Sequence, residues 1–169
     1  MQVQIQRLSS THNCKEFDCG TPLLNEWLAT MAGQQEKKYV ARTFVLVDGA
    51  AQEIVLGFYT LAVSEVGHDA FPNPKKYPKR VPVARLGRFA IEKSLQGKGY
   101  GEFLLLNALE RVAEISQNAG IAAIVVDAKD MNAANYYRRY AFISTPDNPL
   151  QLLLPTATVL AIYNQATTK

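Results

Sequence analysis

Apolar and polar residues alternate through MQVQIQRLS (residues 1–9), the period of a half-buried strand whose successive side chains point to opposite faces. The spacing changes between Phe17 and Val40. Gly20, Thr21 and Pro22 form a helix entrance, and Leu23, Leu24, Trp27, Leu28 and Met31 fall at i, i+1, i+4, i+5 and i+8, which predicts one apolar helical face. RTFVLVD (42–48) and EIVLGFYTLAVSEV (53–66), rich in β-branched and aromatic residues and separated by GAAQ, predict an antiparallel hairpin. VARLGRFAI (83–91) predicts a fourth strand. Beyond Gly97, Gly99 and Gly101, the residues Leu105, Leu109, Val112 and Ile115 line one face of a helix running from about Gly101 to Gln117, with Gly120 as its stop. IAAIVVDA (121–128) is a continuous apolar run, the mark of a strand buried on both faces. A short helix, MNAANYYRRY (131–140), and a last strand, LQLLLPTATVL (150–160), complete the pattern. The order β-α-β-β-β-α-β-α-β predicts an α/β fold with a mixed central β-sheet flanked by helices on both faces. No repeat, low-complexity tract or linker interrupts it, so residues 1–169 read as a single domain.

Composition adds limits. A chain of 169 residues, 48% of them hydrophobic, can bury roughly 70% of its unfolded surface. Cys14 and Cys19 stand in a C-x4-C spacing that matches no common metal pattern, and His12 and His68 are far apart, so neither a metal site nor a disulfide framework is expected. The first thirty residues lack the apolar core of a signal peptide, and no run approaches the ~18 apolar residues of a membrane span. A cytoplasmic protein without membrane contact is the expectation. Net charge is only +3, but Ala70–Ile91 holds six basic residues and no acid, together with four of the eight prolines. Its first half is expected to be an extended loop with its lysines in water. Either this is an ordinary solvated surface, or Lys75, Lys76, Lys79 and Arg80 receive the phosphates of a nucleic acid and release its counterions.

The glycine stretch carries the most chemistry. Gln96, Gly97, Lys98, Gly99, Tyr100 and Gly101 follow a strand and open a helix, so unpaired backbone N–H groups and the positive end of the helix dipole converge on one place suited to an anion. Gly99 and Gly101 would let backbone approach a phosphate, and Lys98 adds a charge at the rim. The pattern is neither a Walker loop nor a full dinucleotide fingerprint, and three glycines can also serve a tight turn for steric reasons alone.

RFAIEKSLQGKGYG resembles the pyrophosphate-binding signature Q/R-x-x-G-x-G/A of the GNAT acetyltransferases, carried here by Gln96, Gly99 and Gly101. The likeness implies that the turn holds the pyrophosphate of coenzyme A, that acetyl-CoA is the co-substrate, and that no metal is needed. It further implies that the strand edge at Phe89, Ala90 and Ile91 pairs with the pantetheine arm while the strand after the helix splays away. EFDCGTPLLNEWL, RTFVLVD, GFYTLAVSEV, VARLGRFAIEKSLQGKGYG and NYYRRYAF, in this order, resemble more narrowly the GNAT-type toxins of bacterial toxin–antitoxin pairs, and FDCG and LGR are the more specific parts. Those enzymes acetylate the amino group of the amino acid on charged tRNA and stop translation, and their genes are paired with a ribbon-helix-helix antitoxin. A homodimer is implied too. Two positions depart from the GNAT pattern: Ala141 stands at a customary glycine, where a positive φ would cost on the order of 1 kcal/mol, and Asp130 stands where many GNAT enzymes, though not the toxin-like ones, have asparagine.

Attack of an amine on a thioester needs a neutral amine, an oxyanion stabiliser and a proton donor for the departing thiolate. No His or Glu falls at an obvious base position. An α-amino group beside an ester has a pKa no higher than the ~8 of a free terminus, so a strong base is dispensable. Tyr137 matches the family's catalytic tyrosine, and a phenol of pKa ~10 can protonate a departing thiolate of pKa ~8.5. The lesser alternative is that it is one member of an aromatic face packed on the sheet, a reading that suits Tyr136 or Tyr140 better. A backbone N–H near Ala90 or Ile91 is the expected oxyanion donor. Arg88, Arg138 and Arg139 could meet tRNA phosphates or be ordinary surface arginines, and Trp27 at helical spacing reads as core rather than as a base-stacking platform. Competing functions are acetylation of a small amine or protein N-terminus, which leaves the basic loop unexplained, and a catalytically silent binding module, against which the glycine turn and Tyr137 speak.

Overall fold

The computed structural model describes residues 1–168, with side chains through residue 164. Seven strands are hydrogen-bonded in the order β1-β2-β3-β4-β5-β7-β6. They are β1 (Val3–Arg7), β2 (Arg42–Asp48), β3 (Gly57–Gly67), β4 (Arg80–Ile91), β5 (Ala123–Asp127), β6 (Ile143–Thr145) and β7 (Asn148–Pro155). The helices are α1 (Pro22–Thr30), α2 (Ala32–Lys37), α3 (Tyr100–Ser116), α4 (Met131–Arg138) and α5 (Thr156–Thr168). The sheet is mixed: β4 pairs with β5 in parallel, whereas β1–β2, β2–β3, β5–β7 and β6–β7 are antiparallel. A parallel neighbour cannot be reached by a tight turn, and α3 is the crossover that makes it possible. Contacts divide the chain into two compact units, Met1–Ala62 with Gly87–Ala108, and Val63–Leu86 with the residues from Leu109 onward.

In the first unit, Val45, Val47, Phe58 and Ala90 from the strands pack with Leu28, Ala32, Phe17 and Cys19. The helix expected across residues 17–40 is two helices, broken at Met31. Leu28 is 1% exposed and Leu24 and Trp27 pack against the same core, but Leu23 is 79% exposed. The physical reason is angular: Leu23 lies in line with the exposed Glu26 and Thr30, three and seven residues on, and so faces away from the Leu24–Trp27–Leu28 stripe. Strand β3 begins at Gly57 rather than residue 53.

In the second unit, Phe71, Val81, Val83, Ala123, Val125 and Leu153 form the core. The run 123–126 is buried throughout, as a strand covered on both faces should be. Two expectations are corrected here. The basic segment is not simply extended: it makes 3-10 turns at His68–Ala70 and Pro74–Lys76, Phe71 is buried with its ring 4.2 Å from that of Tyr77, and β4 already begins at Arg80. The last apolar run is not one strand. It ends at Pro155 and turns into α5, whose first residue is tied by Thr156 N–H to the Ala122 carbonyl and by Thr156 Oγ1 to the Ile121 carbonyl, both at 2.8 Å. The three-residue β6, which pairs with β7, is too short to register as a periodic pattern.

Candidate active site

The first unit contains the glycine turn. After Ile91, Glu92 accepts the Ser94 N–H at 2.9 Å and starts the 3-10 turn Lys93–Leu95, which delivers the chain to Gln96. Gly97 (φ 76°) and Gly99 (φ 92°) both lie in the left-handed region, which L-residues with a Cβ avoid, and a Cβ at either would meet no protein atom within 4 Å. Conformation, not crowding within the chain, therefore demands these glycines, and the space above them is open. Gly101 lies inside α3, which opens at Tyr100, so the left-handed pair is Gly97 and Gly99. The N–H groups of Tyr100, Gly101 and Glu102, in the first helical turn, have no intrahelical carbonyl to meet, and Lys98 is exposed beside them. A pyrophosphate fits such a place: open glycine backbone, a helix N-terminus and one free ammonium.

Gln96 does something the sequence did not suggest. Its side-chain amide donates to the Cys19 carbonyl at 2.8 Å and to the Ile91 carbonyl at 2.9 Å, so that side chain is a strut between the FDCG segment and the end of β4. Asp18 of the same segment accepts from Gly20 N–H (2.9 Å), from Asn25 Nδ2 (3.0 Å) and from Lys93 Nζ (2.9 Å). These bonds hold the Asp18 carboxyl down at a pKa of about 2, with the Lys93 ammonium as the largest influence. Residues 18 and 93 are too far apart in sequence for any local signal to have paired them.

Strand β4 carries Phe89, half-buried, and Ala90 and Ile91, both buried. Its parallel register with β5 covers Ala84–Leu86, and Gly87–Ile91 continue beyond those pairs. Within this stretch the Arg88 N–H donates to Thr60 Oγ1 at 3.0 Å, and the Arg88 guanidinium lies 4.1 Å from the centroid of the Trp27 ring.

The second unit contains Tyr137 on α4. Asp130 caps this helix by accepting the Ala133 N–H at 2.8 Å. At the other end, Phe142 N–H reaches the Tyr137 carbonyl (3.4 Å) and Ala141 N–H the Arg138 carbonyl (3.2 Å), with Ala141 left-handed at φ 71°. This is the Schellman arrangement, and its usual apolar contact is present as the Tyr137–Phe142 ring pair, centroids 5.5 Å apart. Ala141 thus does take the positive φ that a glycine would adopt there without cost. Tyr137 is 8% exposed, and burial pushes its phenol well above the ordinary value, so the hydroxyl keeps its proton throughout the physiological range. Its neighbour Tyr136 meets it edge-on at 5.5 Å.

Arg138 donates to Asn135 Oδ1 and to Ser144 Oγ, both at 2.6 Å, neutral partners that hold the guanidinium without cancelling its charge. Arg139, Lys75, Lys76 and Lys79 are exposed. Arg80, by contrast, pairs with Glu65 at 2.6 Å. Of the residues singled out from the sequence, 88–91 and 96–101 thus belong to the first unit, and Lys75, Lys76, Lys79, Arg80, Tyr137, Arg138 and Arg139 to the second. Among the described residues no group of three or more His, Cys, Asp or Glu side chains is placed to hold a metal ion, and no helix is long and apolar enough to cross a membrane.

The chain is 33% identical over 152 residues to the tRNA-acetylating toxin of Mycobacterium tuberculosis, covering 88% of this chain and 89% of that protein. Its structure is similar to that of AtaT complexed with acetyl-methionyl-tRNAfMet, with a TM-score of 0.89, 31% identity, and coverage of 96% of this chain and 99% of that one. It is also similar to a mutant AtaT toxin bound to the C-terminus of the antitoxin AtaR and acetyl-CoA, with a TM-score of 0.83, 29% identity, and coverage of 97% and 99%. Residues 8–142 match the model of the Acetyltransferase (GNAT) family, and with the glycine turn and the seven-stranded mixed sheet in place, this chain belongs to that family.

Proposed function

We propose that this protein is a toxin that transfers the acetyl group of acetyl-CoA to the α-amino group of the amino acid on charged tRNA, and so blocks translation. The observation that carries this reading is the turn from Gln96 to Gly101, two left-handed glycines with open space above them leading into the N-terminus of α3. The names of the relatives, a tRNA-acetylating toxin and a toxin solved with acetyl-methionyl-tRNA, support the choice of acceptor.

In this reading the backbone of Gln96, Gly97, Lys98, Gly99, Tyr100 and Gly101 holds the pyrophosphate, and the edge of β4 at Phe89, Ala90 and Ile91 aligns the pantetheine arm. An N–H near Ala90 or Ile91 stabilises the charge that develops on the thioester oxygen. The amine, much of it already neutral, attacks the thioester carbon without a dedicated base. The C–S bond breaks as Tyr137 gives its Oη proton to the leaving sulfur, and the proton released from the acylated nitrogen passes through water to restore the phenol. Arg88, Arg138, Arg139 and the exposed lysines at 75, 76 and 79 bind RNA phosphates, with Arg80 joining them on leaving Glu65. The enzyme works in the cytoplasm as a homodimer and is neutralised by a ribbon-helix-helix antitoxin, in keeping with the AtaR complex of its structural relative.

Labelled acetyl-CoA supplied with bulk aminoacyl-tRNA tests the proposal. Label should enter the aminoacyl-tRNA fraction and be released with the amino acid on mild alkaline cleavage of the ester. Transfer to free amino acids or peptides in preference to charged tRNA would overturn the acceptor assignment.

A further inference from the structure

Most of the arginines with a resolved partner in this protein face a carboxylate: Arg7 and Arg42 meet Glu36, Arg80 meets Glu65, and Arg85 meets Asp127. Arg88 does not. Among the described residues no carboxylate pairs with its guanidinium, which lies over the Trp27 ring at 4.1 Å while partial burial lowers its pKa. Trp27 is itself stacked on the fully buried Phe58, rings nearly parallel at 8° with centroids 6.2 Å apart. The other end of Arg88 is fixed as well: its N–H is held by Thr60 Oγ1, and the preceding residue is Gly87, where a Cβ would come within 2.9 Å of that same oxygen. A cation partly withdrawn from water, unneutralised and held at both ends is an arrangement whose cost an incoming anion offsets. A guanidinium held over an aromatic face keeps N–H groups that point away from the ring available, and two of them match the oxygens of one phosphate.

We propose that Trp27 is a positioning residue, which, backed by Phe58, holds Arg88 so that its N–H edge grips a single phosphate of the RNA acceptor end. Trp27 thus does more than fill the core. The inference rests on the tRNA reading above, but its test needs no chemistry.

The probe is a deacylated tRNA acceptor minihelix, its binding followed by fluorescence anisotropy at several salt concentrations for wild type, Arg88→Gln, Trp27→Leu, Trp27→Phe and the Arg88→Gln/Trp27→Leu double variant. Arg88→Gln should flatten the slope of log K against log salt by ~0.7–0.9, the value of one phosphate contact. Trp27→Leu should weaken binding roughly threefold to tenfold through loss of the ring under the guanidinium, and Trp27→Phe should restore most of it. In the double variant the Trp27 substitution should add nothing, which a purely structural tryptophan would not produce. Thermal stability and the acetyl-CoA Kd are the controls for folding and for the cofactor half of the site. An unchanged slope in Arg88→Gln, or additive losses in the double variant, would overturn this inference while leaving tRNA acetylation standing. Failure of the wild type to bind the minihelix would overturn both.

Discussion

Asp18 and Lys93 are joined twice: the Lys93 ammonium meets Asp18 Oδ2 at 2.9 Å, and the Lys93 N–H donates to the Asp18 carbonyl, also at 2.9 Å. The pair fastens the FDCG segment to the residues that lead into the glycine turn. Two residues 75 positions apart thereby make motif and turn one mechanical unit.

A depressed carboxyl pKa sets a definite pH window. The folded Asp18 titrates near 2, below its ordinary 3.8, so its contribution to stability is fully present above about pH 4 and is lost as pH falls through about 2. Asp18→Asn should therefore be less stable than wild type in urea denaturation at pH 7, with the difference between the two shrinking from pH 4 downward. A difference that stays constant to pH 2 would show that the charge of Asp18 plays no part.

Ala141 offers a gain. With φ at 71° it occupies the C′ position of α4 in a conformation that costs an L-residue on the order of 1 kcal/mol, so Ala141→Gly should raise stability by about 0.5–1 kcal/mol in spite of glycine's freer unfolded chain. Ala141→Val should lower it. Chemical denaturation midpoints check both signs.

Gly99 is held by its φ of 92° in open space, so Gly99→Ala should cost about 1 kcal/mol of stability from backbone strain alone. Gly99→Val should, in addition, raise the acetyl-CoA Kd, since side-chain atoms would occupy the space assigned to the pyrophosphate. Calorimetric titration separates the two effects, and an unchanged Kd would place the pyrophosphate elsewhere.

Tyr137→Phe keeps the ring that packs on Phe142 and removes only the hydroxyl. The variant should fold, bind acetyl-CoA normally and lose roughly 10²–10⁴-fold in acetyl transfer, the span of a positioned general acid. Near-wild-type single-turnover rates would reduce Tyr137 to a core aromatic.

Replacement of Lys75, Lys76, Lys79 and Arg80 by alanine should flatten the salt slope of tRNA binding by up to about 3–4, four contacts at ~0.7–0.9 each, the fourth made when Arg80 leaves Glu65. Acetyl-CoA affinity should not move. Equal slopes for wild type and variant would make the segment a solvated surface.

The strand–glycine turn–helix unit was legible because everything it needs is local: alternation before it, left-handed glycines within it, and a 3.6-residue period after it. The same holds for the α4 tyrosines and the buried run of β5. Legibility ended where distant residues chose between local options. PTATVL suits strand or helix, and hydrogen bonds from Thr156 to the Ala122 and Ile121 carbonyls start α5 there. Leu23 counts toward an apolar face, yet only the packing of Leu24, Trp27 and Leu28 against the sheet decides which way the helix is turned. The Gln96 strut, the Asp18–Lys93 pair and the stacking of Arg88 on Trp27 join residues 61 to 77 positions apart, and no periodicity can encode them. The sequence by itself determined which segments would form the turn and carry the tyrosine, since short-range sterics and helix geometry are written residue by residue. Tertiary structure alone decided which polar and charged side chains would be spent as struts and which would stay unneutralised, because that depends on what long-range packing brings within hydrogen-bonding reach.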